Sequence, residues 1–180
     1  NRCSRIFLGL NGADFSWKLA PGETFHTPEA VTVYSDAGLD GMSAQFHRVC
    51  GEHLVRGKYA HAPRPILLNN WEATYFGFNE EKLLKIARTA ADVGVELFVL
   101  DDGWFGKRDD DTTSLGDWFV DTAKLPMGMR HLTDQVHAMG LKFGLWFEPE
   151  MVSPKSDLYE KHPDWAIHID GRVPVEQRNQ

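Results

Sequence analysis

The sequence predicts an α/β fold built from parallel βαβ units, and three observations predict it. Short apolar runs alternate with amphipathic stretches of helical period between Pro65 and Glu148. Each apolar run is followed, not preceded, by polar and aromatic residues: Asn69-Asn70-Trp71, Asp101-Asp102-Gly103-Trp104 and Trp146-Phe147-Glu148. Functional residues take that position at the carboxyl ends of strands in barrels and in open parallel sheets. Finally, Trp71-Glu72-Ala73-Thr74-Tyr75-Phe76 follows the first run where a nucleotide fold would carry a glycine-rich loop. With no GxGxxG and no Walker loop, a (β/α)₈ barrel is preferred to an open dinucleotide-type sheet.

Residues 1 to about 36 read as β structure. Asn11-Gly12 suits a hairpin turn between Ile6-Phe7-Leu8 and Phe15-Ser16-Trp17, and Pro21-Gly22 is a second turn. Phe25 to Tyr34 is rich in Thr and Val but is broken by Pro28. These are a few strands of a larger sheet, and a piece of two or three strands is marginal alone. From Gly38 to Leu54 the period changes: Leu39, Met42, Phe46, Val49, Cys50 and Leu54 recur at three- and four-residue steps, which predicts an amphipathic helix. Arg56 to Pro65 is polar and proline-containing, a linker. The expected division is therefore residues 1–62, a β domain's end with its connecting helix, and residues 63–180, barrel units.

Within the second part, Ile66 to Trp71 predicts a short buried strand with a polar end. Asn79 is a helix N-cap, with Glu80-Glu81 in the first turn. Leu83, Leu84, Ala87, Ala90, Ala91 and Val93 mark the buried face of that helix, and Gly94 stops it. Val95 to Leu100 is the second strand, followed by a long loop from Gly103 to about Pro126. Met129 to Met139 is a helix with Leu132, Val136 and Met139 inward. Leu141 to Glu148 is the third strand. Ser156 to His162 is a short helix ended by Pro163, and Trp165 to Ile169 is extended. A barrel needs about 250 residues, whereas 115 residues follow Pro65. The expectation is an excerpt of a longer protein, holding three to four units.

Composition bounds the function. Net charge is −7 with no basic block, which argues against nucleic acid and anionic membranes as partners. No stretch approaches the roughly 20 apolar residues of a membrane span. Only Cys3 and Cys50 are present, far apart, which suits a reducing compartment. His131 and His137 stand six apart on one helix, not four, so they do not make a zinc pair. Asp109-Asp110-Asp111 lacks the glycine and glutamate of a calcium loop and reads as a solvated loop. No GxSxG elbow is present.

The remaining constellation is at the strand ends. Trp71, Asp101, Asp102, Trp146 and Glu148 converge on one mouth if the strands are parallel. Two tryptophans with several carboxylates suit a sugar: carboxylates accept from hydroxyls, and rings lie on the apolar face of a pyranose. Strand alternation places Trp146 and Glu148 on one face, and Phe143, Leu145 and Phe147 on the other. Asp101 and Asp102 can share a pocket only where the strand has ended, which Gly103 permits. Glycosidases use two carboxylates, and Asp101, Asp102, Glu148 and Glu150 are the acids available. The residues alone leave their roles open.

Arg64-Pro65-Ile66-Leu67-Leu68-Asn69-Asn70-Trp71-Glu72-Ala73, Leu100-Asp101-Asp102-Gly103-Trp104-Phe105, Gly116-Asp117-Trp118 and Leu145-Trp146-Phe147-Glu148-Pro149-Glu150-Met151 strongly resemble the bacterial α-galactosidases of glycoside hydrolase family 36. Pro21-Gly22-Glu23, Tyr34-Ser35-Asp36 and Gly41-Met42-Ser43 extend the resemblance upstream. It implies the first part of a (β/α)₈ barrel preceded by the end of an N-terminal β-sandwich domain. It implies release of terminal α-linked galactose, with retention, from oligosaccharides such as melibiose and raffinose. By resemblance Trp71, Asp101, Asp102, Trp146 and Arg178 line the galactose subsite, with Asp101 and Asp102 on the hydroxyls that distinguish galactose from glucose. The family's nucleophile, an Asp in a Lys-Trp-Asp-type motif, and its acid/base are expected beyond Gln180, so the excerpt is expected to be inactive alone. No metal or cofactor is implied, and the parent is expected to be a cytoplasmic homo-oligomer. The alternatives are a raffinose-type transglycosylase, an α-N-acetylgalactosaminidase, or a galactose-binding protein that has lost its acids.

Overall fold

The computed structural model describes residues 4–13 and 15–172. The chain divides into two compact units, Asn1–Pro63 and Arg64–Gln180.

In the first unit a helix, α1 (Gly38–Val49), runs into a π-turn over Cys50–Leu54. Together they cover the predicted helix, but the wider final turn has no signature in the apolar period. Ser35 organises the entry: its hydroxyl accepts from the Ala37 N–H at 3.2 Å and donates to the Gly38 carbonyl at 3.1 Å. The strands expected before residue 36 are not formed among the described residues. A strand exists only through ladder bonds to neighbours, and the described residues of that stretch form none. Its aromatic residues cluster locally instead, with the Trp17 and Phe25 rings 4.9 Å apart.

The second unit carries β1 (Leu67–Asn69), α2 (Trp71–Thr74), α3 (Glu80–Asp92), β2 (Leu97–Leu100), α4 (Gly128–Ala138), β3 (Lys142–Leu145) and α5 (Asp157–Lys161). The strands form one sheet in the order β1-β2-β3, with both pairs parallel. The register aligns Leu68 with Phe98 and Phe143, and Leu100 with Leu145. Phe98 and Leu100 have no exposed surface and pack with Leu83 and Ala87 of α3 and Leu132 and Val136 of α4. The alternate residues Leu97, Val99 and Gly144 lie on the opposite face. A Cβ at Gly144 would come 3.0 Å from Val99 Cγ2, a contact tighter than ordinary packing, so a larger residue there would press on Val99.

The α3 cap matches the sequence: the Asn79 side chain accepts from the Lys82 N–H at 2.9 Å. Gly94 ends the helix with φ +88°, a conformation open to glycine. Three expectations need correction. The strands are shorter than their apolar runs, and Ile66 and Leu67 are exposed. Val93 is 75% exposed, not on the buried face, because α3 ends at Asp92 and the chain has begun to turn. The segment from Trp165 begins as the end of a 3₁₀ turn, Pro163–Trp165, because proline with its fixed φ starts such a turn readily. Among the described residues no helix is long and apolar enough to cross a membrane.

Replacing Leu132, which is fully buried between α4 and the sheet, by Ala is expected to cost about 2–5 kcal/mol. Asn79→Ala, which removes one capping bond, is expected to cost about 1 kcal/mol. Urea unfolding of both variants checks the ranking, and equal losses would contradict the core described above.

Candidate functional site

The carboxyl end of β1 presents two asparagines with different tasks. Asn69 shares the face of Val99. Its amide donates to the Asp101 carboxylate, and its Oδ1 accepts from the Trp71 N–H at 2.7 Å. Asn70 points the other way and is fully buried. Its Oδ1 accepts from the Asp101 N–H at 2.8 Å, and its Nδ2 donates to Thr74 Oγ1 at 2.8 Å. The neighbouring strand end is thus held twice, through the side chain of Asp101 and through its backbone. The second Asp101 oxygen accepts from the Asp102 N–H at 2.7 Å. Asp101 is half-buried, and its carboxylate keeps acceptor capacity beyond these bonds.

Asp102 has a different environment. β2 ends at Leu100, and the chain turns through Gly103, whose φ is +95°. A Cβ at Gly103 would meet the Phe76 ring at 3.0 Å. Asp102 is buried and paired with Arg108: Nε donates to Oδ1 and Nη2 to Oδ2, each at 2.8 Å. Arg108 is itself 1% exposed. Its Nη1 donates to the Thr113 carbonyl at 2.7 Å, and its guanidinium lies 5.7 Å from the Phe76 ring and 5.9 Å from the Phe105 ring.

Trp71 opens α2 rather than ending β1. It is half-buried, with its ring edge-on to Tyr75 at 5.2 Å and Phe76 at 5.0 Å. The Tyr75 phenol is pushed above its ordinary range by its hydrogen bond to Glu72 and by that carboxylate's charge. Trp146 lies one residue past β3. Its N–H donates to the Leu100 carbonyl at 2.9 Å, and its ring stacks on Phe105 at 6.3 Å and 16°. Its carbonyl accepts from Trp104 Nε1 at 3.0 Å. Contacts therefore run from Trp71 through Phe76 to Arg108 and Asp102, and from Arg108 through Phe105 to Trp146.

Glu148 is buried and Glu150 is exposed, but both lie past the end of β3 at Leu145, so strand parity with Trp146 does not set the direction of Glu148. Phe147 departs from the alternation. It is 48% exposed, and its ring lies against Trp104 and Trp118, because β3 has ended and the pleat no longer sets its direction. Arg178 lies outside the described residues. Asp109, Asp110 and Asp111 are exposed. Asp110 accepts from both the N–H and the hydroxyl of Thr112, and these bonds hold its carboxyl below the usual range. Among the described residues, no three His, Cys, Asp or Glu side chains are grouped to hold a metal ion. The residues the sequence reading missed are Asn69, Asn70 and Arg108. The run Lys107-Arg108-Asp109-Asp110-Asp111 marks a charged loop but does not single out Arg108.

Parallel βαβ units with carboxylates and aromatics gathered at the strands' carboxyl ends define an α/β protein with a polar, ring-walled site. The sequence profile of the melibiase family matches residues 24–180, and the chain belongs to that family. It is 60% identical over 177 residues to α-galactosidase AgaA of Geobacillus stearothermophilus, covering 98% of this chain and 24% of the relative. It is 56% identical over 175 residues to α-galactosidase Mel36A of Lactobacillus acidophilus, covering 97% and 24%. The crystal structure of the GH36 α-galactosidase AgaA superposes with a TM-score of 0.88 at 61% identity, over 95% of this chain and 24% of that one. Variants of AgaA have been crystallised with raffinose and with stachyose. The chain spans about a quarter of the length of the relatives it matches.

Asn70→Ala would leave the Asp101 N–H without its buried acceptor, at a cost of about 1–3 kcal/mol. Amide hydrogen exchange at Asp101 should accelerate in this variant, while exchange within α4 changes little. An unaltered Asp101 amide would show that Asn70 does not hold the strand end.

Proposed function

We propose that this chain is part of an α-galactosidase: a retaining glycoside hydrolase that releases terminal α-linked galactose from oligosaccharides such as melibiose and raffinose. The observation that carries the reading is the Asp101-Asp102 pair at the end of β2, with each carboxylate held by separate partners. Two acceptors fixed in this way suit recognition of neighbouring sugar hydroxyls, and a site that hydrogen-bonds a hydroxyl discriminates strongly against ligands lacking it in that place. Relatives named α-galactosidases, and the raffinose and stachyose complexes of AgaA variants, support the substrate class.

In this reading the three parallel strands are the opening of a (β/α)₈ barrel, and the first unit is the end of a β-sandwich domain with its connecting helix. Trp71 and Trp146 offer ring faces or edges to the sugar, Asp101 and Asp102 accept from its hydroxyls, and Arg178 supplies a cationic donor. The nucleophile and the acid/base stand on later strand ends, so the 180 residues carry a subsite and not the reacting pair. The low cysteine count suits a cytoplasmic enzyme; a homo-oligomeric parent rests on the family resemblance.

The deciding measurement is hydrolysis of an aryl α-galactoside by the full-length protein, beside the α-glucoside and the α-N-acetylgalactosaminide. Selective release from the galactoside is expected. Asp101→Ala should lower kcat/KM by about 10- to 100-fold for each charged hydrogen bond it removes. Preference for the galactosaminide, or galactosyl transfer to sugar in place of water, would assign the chain to a different activity. No release from a folded protein would leave galactose binding alone.

A further inference from the structure

We infer that Arg108 is the positioning residue of the site: it does not touch the sugar but fixes the carboxylate of Asp102, and through it sets the preference for galactose over its epimer. The inference rests on the galactose-subsite reading of Asp102. At 1% exposure Arg108 has almost no surface to offer a ligand. Its fork meets both Asp102 oxygens at 2.8 Å, and a two-point guanidinium contact fixes the plane of a carboxylate as well as its position. Each oxygen accepts one N–H from the arginine side and keeps acceptor capacity for another donor. The arginine is itself immobilised. Thr113 takes Nη1, and the Phe76 and Phe105 rings flank the guanidinium. Lys124 Nζ holds the Arg108 carbonyl at 2.8 Å and the Gly103 carbonyl at 2.9 Å. Asp102 is thus gripped through its side chain by Arg108, and through the next residue by Lys124. Lysine could replace the charge of Arg108 but not the fork.

The test compares Asp102→Asn, Arg108→Lys and the double variant Asp102→Asn/Arg108→Gln in the full-length protein. Its readout is the ratio of kcat/KM for aryl α-galactoside to that for aryl α-glucoside. The ratio does not depend on how much of a preparation is folded, so a merely structural role would lower yield and Tm and leave the ratio alone. Asp102→Asn should lower the ratio. Arg108→Lys should lower it by about tenfold or more, through lost two-point geometry. Once Asp102 is Asn, also changing Arg108 to Gln should lower it no further. That double variant removes both buried charges together, so it keeps the test available if Arg108→Lys does not fold. An unchanged ratio in Arg108→Lys, with a reduced one in Asp102→Asn, overturns the role given to Arg108 and leaves the subsite reading intact. A further fall in the double variant overturns it too, because Arg108 would then act on the sugar independently. An unchanged ratio in Asp102→Asn overturns both readings.

Discussion

The carboxylate of Asp102 and the guanidinium of Arg108 meet out of water, and the long connection between β2 and α4 is arranged to keep them there. Taking two charges into the interior costs several kcal/mol per ion, and their attraction repays it only when the geometry is good and other donors are used. Those conditions hold: two bonds of 2.8 Å join the pair, a third guanidinium nitrogen is satisfied by Thr113, and two rings face the cation. Apolar residues of similar volume often serve a core as well as a buried ion pair does. Retaining ions at this place makes sense where the orientation of a carboxylate matters more than the stability it contributes.

The same connection is too long to be left unstructured, and its closures explain how a loop can hold a charge in place. Phe105 bridges Val120 in antiparallel fashion, the Gly106 N–H meets the Phe119 carbonyl at 2.8 Å, and the Asp121 N–H meets Trp104 at 2.8 Å. Lys124 ties its own end of the loop to Gly103, Arg108 and the Asp109 carboxylate. Beyond the loop, the Leu115 N–H reaches Ser153 Oγ, and the Asp117 carboxylate accepts from the Asp157 and Leu158 N–H groups at the start of α5. A carboxylate suits a helix N-terminus because the first N–H groups have no partner inside the helix. The Gly116-Asp117-Trp118 stretch therefore fastens the loop to the segment after β3.

How much of this was legible follows from the range of each interaction. Asn79 as a cap, Gly94 as a stop and the Phe98, Leu132 and Val136 core positions depend on local pattern, and the sequence displays them. Strand alternation puts Phe143 and Leu145 on one face, and the structure aligns them with Phe98 and Leu100; the alternation loses its hold at Phe147, where the strand is already over. Val93 failed for the same reason at a helix end. The β character of residues before 36 is a propensity that needs partner strands, and propensity alone does not supply them. Asp101 and Asp102 stood out as acids that a core strand could not use. Arg108 did not, because nothing in Lys107-Arg108-Asp109-Asp110-Asp111 says which of the charges turns inward. That depends on Gly103, Phe76 and Phe105 meeting around it.

Asn69 and Asn70 show why such a site needs adjacent strands and not a single loop. Asn69 closes β1 and Asn70 caps the start of α2 with helical backbone, so the two consecutive asparagines grip one aspartate in two independent ways. One bonds its carboxylate from the open face; the other bonds its N–H from the buried face. Neither bond forms unless β1 and β2 pair in the observed register, with Asn69 opposite Val99. A slip of one residue would exchange the faces and leave a buried asparagine amide unsatisfied, a costly arrangement in an apolar core. The hydrogen-bonding needs of Asn70 therefore help to enforce the register, and the register in turn positions Asp101. At this strand end the demands of folding and the placement of the candidate binding group are met by the same bonds.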